Sequence, residues 1–212
     1  MKKSLLLAGV ATLVALNANA FEFNPYVSVK YIKADMESSY KVEQIKPGVT
    51  IADISESDKN SAYSIAFGTR NQLTKGTLRT ELEFQQNGKL KSHLSGEDEL
   101  NTNTEIKSFM LNTYYEFDTG TKFNPYVSAG LGFAQIETSL KSSYMSMGSE
   151  KAENLTWQLG AGVSYNFNEH LSFDTGYRHI DYGDYNNETF INYKTKGEAE
   201  SDEIYFGIRY AF

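Results

Sequence analysis

The chain reads as all-β, an eight-stranded antiparallel up-and-down β-barrel that crosses a membrane. Three features carry that expectation: eight segments alternate apolar and polar residues, the connections between them alternate short and long, and glycine and serine gather on one side of the alternation. Period two is the strand repeat, whereas a helix repeats near 3.6. Short turns at one end and long loops at the other are how outer-membrane barrels are arranged.

The first strand is expected near residues 26–33. It is opened by Phe23-Asn24-Pro25-Tyr26-Val27-Ser28, which recurs as Phe123-Asn124-Pro125-Tyr126-Val127-Ser128 at the head of the fifth. The second and third, near 62–70 and 77–85, flank the short connection 71–76. The fourth sets Phe109, Leu111, Thr113, Tyr115 and Phe117 against Ser108, Met110, Asn112, Tyr114 and Glu116. The fifth, near 125–136, follows the short connection 118–124. The sixth sets Leu155, Trp157, Leu159, Ala161, Val163, Tyr165 and Phe167 against Thr156, Gln158, Gly160, Gly162, Ser164 and Asn166. The seventh, near 171–180, follows the short connection 168–170. The eighth sets Ile204, Phe206, Ile208, Tyr210 and Phe212 against Glu203, Tyr205, Gly207, Arg209 and Ala211.

Ahead of these strands, Met1 to Ala20 has a basic start (Lys2, Lys3), an apolar stretch from Leu5 to Leu16 and a small-x-small end, Ala18-Asn19-Ala20. That order predicts a Sec signal peptide over residues 1–20 cleaved after Ala20, with one barrel domain over 21–212. Composition excludes several alternatives. A hydrophobic share of 40% and a mean hydropathy of -0.47 do not suit a bundle of transmembrane helices. The absence of Cys removes disulfide scaffolds and thiolate metal sites, and 27 acidic against 20 basic residues argue against nucleic acid.

Period two is shared with soluble barrels, so the contents of the two faces decide. With the apolar face inward, Gly130, Gly132, Gly160, Gly162 and Gly207 would face solvent, where glycine weakens a strand to no benefit. With it outward, the same glycines relieve crowding in a narrow lumen. Tyr and Phe also collect at the strand ends, where an aromatic girdle belongs. On this parity the lumen receives Lys30, Arg70, Arg79, Arg178 and Arg209 against Glu81, Glu83, Glu116, Asp174 and Glu203. Tyr26, Tyr114, Tyr126 and Tyr205 add bulk. The expected loops 34–60, 86–103, 137–153 and 181–202 hold 18 acidic and 9 basic residues, which places the whole acidic surplus outside the membrane.

The closing segment Ile204-Tyr205-Phe206-Gly207-Ile208-Arg209-Tyr210-Ala211-Phe212 and the stretch Tyr177-Arg178-His179-Ile180-Asp181-Tyr182-Gly183-Asp184 resemble the small opacity-type surface-antigen barrels of Gram-negative bacteria. The resemblance spans the mature chain, with His179 standing where an aromatic residue is expected. It implies a monomeric outer-membrane protein among lipid and lipopolysaccharide, adhesive or antigenic in some members and structural in others. A host or matrix ligand would then meet the loops. It also implies that Phe206, Ile208, Tyr210 and Phe212 are read by the barrel-assembly machinery.

Chemistry is sparse. His93 with Ser95 and Glu97 is expected in a long loop without a rigid strand to orient a triad. His170 is expected in the shortest turn and His179 at the membrane interface. No enzyme, catalytic set or cofactor is expected, and no metal site. Asp181, Asp184 and Glu188 match no cation-binding motif and read as a solvated acidic loop. The resulting expectation is a surface protein with a packed lumen, acting structurally or as an adhesin, with a narrow solute or ion channel as the alternative. Deleting Phe212 is expected to reduce folded barrel in the outer membrane while secretion across the inner membrane continues, measured by heat-modifiable mobility in fractionated cells. Normal surface levels would remove Phe212 from the assembly signal.

Overall fold

The computed structural model describes residues 23–44, 49–88, 90–94, 100–142, 146–188 and 193–212, so the expected signal segment lies outside it. Nine β-elements follow one another: β1 (Asn24–Gln44), β2 (Val49–Leu73), β3 (Gly76–Asn87), β4 (Leu90–Leu94), β5 (Leu100–Phe117), β6 (Phe123–Ser142), β7 (Ser146–Asn166), β8 (Leu171–Glu188) and β9 (Tyr193–Ala211). All pairings are antiparallel: consecutive elements pair except β3 with β4, β9 pairs β1, and β3 and β4 both pair β5. The third wall is thus one strand interrupted after Asn87, and the barrel has eight walls. Closure leaves no open sheet edge where lipid offers no hydrogen bonds.

Burial follows the sequence parity. Val29, Ile65, Phe67, Leu82, Phe109, Leu159, Phe206 and Ile208 are exposed on the outer face, while Ser28, Lys30, Glu81, Glu83, Asn112 and Glu203 are buried inside. The outer apolar band ends above in a polar ring that includes Lys33, Lys59, Gln86, Lys107, Gln135, Glu153, His179 and Asp202. Below, it ends in aromatic residues. Tyr115 stacks edge-on with Phe117 at 4.9 Å, Tyr165 with Phe167 at 4.7 Å and Tyr210 with Phe212 at 5.5 Å. Between these limits the chain runs from Ile204 in β9 to Phe212 just past its end, the length a tilted strand needs to cross a bilayer.

Glycine has a specific role inside. A Cβ at Gly68 would stand 2.6 Å from the ring of Tyr26, and one at Gly176 would stand 2.8 Å from the hydroxyls of both Tyr126 and Tyr205. The tyrosine rings therefore lie against bare backbone.

Two sequence expectations need correction. The segments 34–60, 86–103, 137–153 and 181–202 are largely strand: the β1–β2 ladder runs from Asn24↔Arg70 to Gln44↔Val49, and the β8–β9 ladder reaches Glu188↔Lys194. Among the described residues the tightest turn is Thr74-Lys75, tighter than the four residues 167–170 that hold His170. The first error has a physical cause. Lipid imposes alternation only where one strand face meets it, and above the polar ring the backbone ladder continues without a hydrophobic period.

Above the ring the barrel also divides. The β7–β8 ladder stops at Trp157↔Asp181 and the β2–β3 ladder at Ala62↔Asn87, although the other ladders continue. Two four-stranded sheets result, β2-β1-β9-β8 and β4-β5-β6-β7. Their inner faces share an apolar cluster of Ala34, Met36, Ile180, Tyr182 and Ala199 from the first sheet with Ile106, Ala134 and Ile136 from the second.

An arginine placed at lipid-facing Ala161 should cost about 2–4 kcal/mol of folding stability, because it sits near the middle of the apolar band. Arginine at exposed Ser57, above the ring, should be close to neutral. Urea unfolding in lipid vesicles measures both, and equal tolerance would mean the band is misplaced.

Candidate functional site

The lumen is the one place where charged side chains converge from most of the walls. From β1, Lys30 sends its ammonium to Glu81 Oε1 at 2.5 Å, Glu83 Oε2 at 3.0 Å and Tyr114 Oη at 3.1 Å. An ammonium has three donors, and all three have acceptors. Glu81 also accepts hydrogen bonds from Tyr26 at 2.9 Å and Tyr114 at 2.7 Å.

One layer outward, Arg178 on β8 donates from Nε to Glu203 at 2.8 Å. From Nη1 it donates to Glu83 at 3.0 Å, and from Nη2 to Glu83 at 3.3 Å and to Gln85. Toward the short-turn end of the barrel, Arg79 donates to Asp174 at 3.1 Å. Its Nε lies 2.9 Å from Glu116 Oε1, in ion-pair range but not aligned as a hydrogen bond. Arg209 stands 3.2 Å from Glu116 and 3.5 Å from Asp174, and donates to Ser164 at 2.9 Å. The planar cations rest on rings: Arg79 over Tyr114 at 4.4 Å and Arg178 over Tyr205 at 5.4 Å.

Of the ten lumen residues expected from parity, nine are at least 96% buried. Arg70 stands apart. It lies near the end of β2, where its Nη2 donates to the carbonyl of Glu169 at 2.9 Å and it helps line a recess at the short-turn mouth. The recess holds about 420 Å³, with Asn24, Gln72, Asn166 and Arg209 also in its wall. The buried set is therefore four cations against five carboxylates, and the Tyr26 and Tyr114 hydroxyls also hydrogen-bond Glu81.

Sequence reasoning missed the neutral members. Gln85 donates to Glu203 at 2.7 Å and to Asn87 at 2.8 Å, Asn87 to Tyr182 at 3.1 Å, Asn112 to Glu83 at 2.6 Å and Gln158 to Asn112 at 3.2 Å. Their signal was present: Gln85, Asn87 and Asn112 share the parity of the lumen charges on their strands, and Gln158 shares the face of Gly160, Gly162 and Ser164.

The histidines lie far apart. The backbone of His93 falls in β4 opposite Asn101, a correction to its expected place in a loop, while Ser95 and Glu97 lie outside the described residues. His170 Nδ1 is 3.0 Å from the carbonyl of Ala211, and its ring stacks on Tyr210. His179 Nδ1 is 2.9 Å from Asp202, which also accepts the Tyr177 hydroxyl at 2.7 Å, on the outer surface. Among the described residues no three His, Asp or Glu side chains are placed to hold a metal ion. Asp181 is engaged by the Trp157 indole at 2.9 Å and the Gly183 amide at 2.7 Å; the side chains of Asp184 and Glu188 lie outside the described set.

The model of the outer membrane protein beta-barrel domain matches residues 3–212. The chain belongs to that family. It is similar to the outer membrane protein PagN of Salmonella typhimurium, 28% identical over 127 residues that span 53% of each chain, about half the length of PagN. It is similar to the outer membrane protein P.IIC of Neisseria gonorrhoeae, 26% identical over 92% of this chain and 74% of that one. Among solved structures, Neisserial surface protein A aligns with a TM-score of 0.52 at 21% identity, covering 86% of this chain and 97% of that one. That likeness shows the fold. This protein is an outer-membrane β-barrel of Gram-negative type.

Removing one member of a buried ion cluster strands its partners, typically at a cost of about 3–5 kcal/mol. Glu83→Ala and Arg178→Ala should each lower the unfolding midpoint in detergent by an amount of that order, while Glu153→Ala on the exposed surface should leave it within error. Equal midpoints for all three would show that the lumen contacts are not cohesive.

Proposed function

We propose that the protein is a surface post. A packed, non-conducting barrel is anchored among outer-membrane lipid and lipopolysaccharide, and its two outer sheets meet other surfaces as a structural or adhesive element. The observation that carries this reading is strand length. β1 has 21 residues and β2 has 25, about twice the 9–11 residues that cross a bilayer. The excess of roughly ten residues, at ~3.3 Å each, carries the sheets about 30 Å along the strand beyond the membrane. A protein that only sealed the bilayer would gain nothing from that extension.

The lumen supports a post over a pore. Charged and aromatic side chains occupy it from Arg209 to Glu203, and the apolar cluster around Met36 and Tyr182 covers the outer end. The outer apolar surface continues around the barrel, which suits a monomer in lipid, and the exposed Phe206, Ile208, Tyr210 and Phe212 suit handling by the assembly machinery.

Replacing 38–56 and 184–197 by short turns should leave a heat-modifiable barrel and abolish bacterial attachment to matrix-coated surfaces or host cells. Planar-bilayer recordings of the intact protein should show no stable unitary current. Unchanged attachment together with stable currents would overturn the post and favour the narrow channel.

A further inference from the structure

The recess at the short-turn mouth has a floor and a wall of different character. Its floor is the end of the lumen network. Glu116 and Arg209, both deeply buried, stand 3.2 Å apart, and Glu116 also lies 2.9 Å from Arg79 Nε. These charges are paired from within the barrel, and the recess stops on them. The wall is not paired. Arg70 is half-buried, and among the described residues no carboxylate lies within ion-pair distance of it. Its Nη2 is held at 2.9 Å by the carbonyl of Glu169, a neutral acceptor, and it feels the like charge of Arg209. At the rim, Asp118 and Glu169 are exposed and likewise meet no cation at ion-pair distance among the described residues; Asp118 Oδ1 takes the Gly120 amide at 2.9 Å. Exposed carboxylates of that kind are ordinary. A half-buried guanidinium without a counter-ion, sharing a recess with a second guanidinium, is not.

The surroundings narrow what would complete it. The planar fork of Arg70 suits a carboxylate or a phosphate, and an anion set between Arg70 and Arg209 would relieve their repulsion. Glu116, Asp118 and Glu169 around the same recess count against a dianion such as phosphate. They favour a single carboxylate whose molecule also carries an ammonium that can reach the rim. Asn24, Gln72, Asn124 and Asn166 bring amide donors and acceptors, which match a peptide bond. The volume of about 420 Å³ falls within the roughly 300–1,000 Å³ of small-molecule sites.

We propose that the recess at the short-turn mouth binds the carboxylate end of a short zwitterionic peptide. Arg70 takes the carboxylate with Arg209 behind it, Glu169 or Asp118 takes the ammonium, and the amide side chains take the peptide bond. Short turns of outer-membrane barrels face the periplasm. Two sources of this chemistry meet that face, free peptides and the stem peptides of the cell wall. The site lies at the opposite end of the barrel from the outer sheets and goes beyond the adhesive reading. It ends on Glu116 and Arg209, so it binds without conducting.

The test titrates the protein in lipid nanodiscs, open on both faces, with L-alanyl-L-alanine and D-alanyl-D-alanine by isothermal calorimetry at low salt. Saturable binding of at least one is expected, with a Kd of about 1 mM or tighter. The amidated dipeptide lacks the carboxylate and the N-acetylated one lacks the ammonium, and each should bind at least about tenfold more weakly. R70Q should keep its heat-modifiable mobility and unfolding midpoint and lose binding by a similar factor. R70K keeps the charge without the fork and should fall between. K59Q, exposed on the outer surface, should bind as the unaltered protein does. Arg70-dependent sedimentation with purified cell-wall sacculi assigns the source to stem peptides, and dipeptide binding without sedimentation assigns it to free peptides. Absence of saturable binding by both dipeptides, equal binding of the amidated form, or full binding by folded R70Q would overturn the proposal. Inorganic phosphate competing as well as the dipeptide would reduce the recess to a general anion site and overturn it too. If R70Q does not fold, R70K and the two blocked dipeptides decide.

Discussion

Lipid supplies no hydrogen bonds, and the rest of this molecule follows from that condition. Every backbone donor and acceptor within the bilayer needs a partner, so the sheet closes, and eight walls close it around a space that side chains can fill. The filling is charged and therefore has to balance internally. Lys30, Arg79, Arg178 and Arg209 meet Glu81, Glu83, Glu116, Asp174 and Glu203, and tyrosine hydroxyls serve the surplus carboxylate. Charges in such a space attract strongly but lose their hydration, and the arrangement holds because each is bonded from more than one wall. The tyrosine rings fit because Gly68 and Gly176 leave room for them.

Above the polar ring the same strands answer to water. Unpaired edges are tolerated there, and the ladders divide where Thr156 and Trp157 bind Asp181 and where Gly183 turns the chain. A single barrel becomes two sheets over an apolar cluster without any change of connectivity. The acidic surplus of the chain lies in these outer segments.

Arg70 and Arg79 show how position alone separates two roles. They are register partners on β2 and β3 with the same parity, yet Arg79 is 1% exposed among carboxylates and Arg70 lies at the mouth on a carbonyl of the 167–170 turn. The β1–β2 ladder ends at the pair Asn24↔Arg70. The third guanidinium of the buried network is Arg209 from β9.

Period two, the lipid face, the lumen face and the aromatic rim were all legible in the residues, because each depends on which side of one strand a residue occupies. The candidate lumen residues were legible for the same reason, including the nine that are deeply buried. Their pairing was not. Arg178 and Glu83 are 95 residues apart, and Arg79 and Asp174 are also 95 apart, and only closure of the sheet decides that they meet across the lumen. The outer half of the strands was hidden as well. Above the membrane both faces meet water, the hydrophobic alternation fades, and the ladders persist through backbone hydrogen bonds that every sequence carries alike. The division between β7 and β8 was decided there, by a hydroxyl and an indole whose acceptor, Asp181, lies on the neighbouring strand, and by one left-handed glycine two residues further along it.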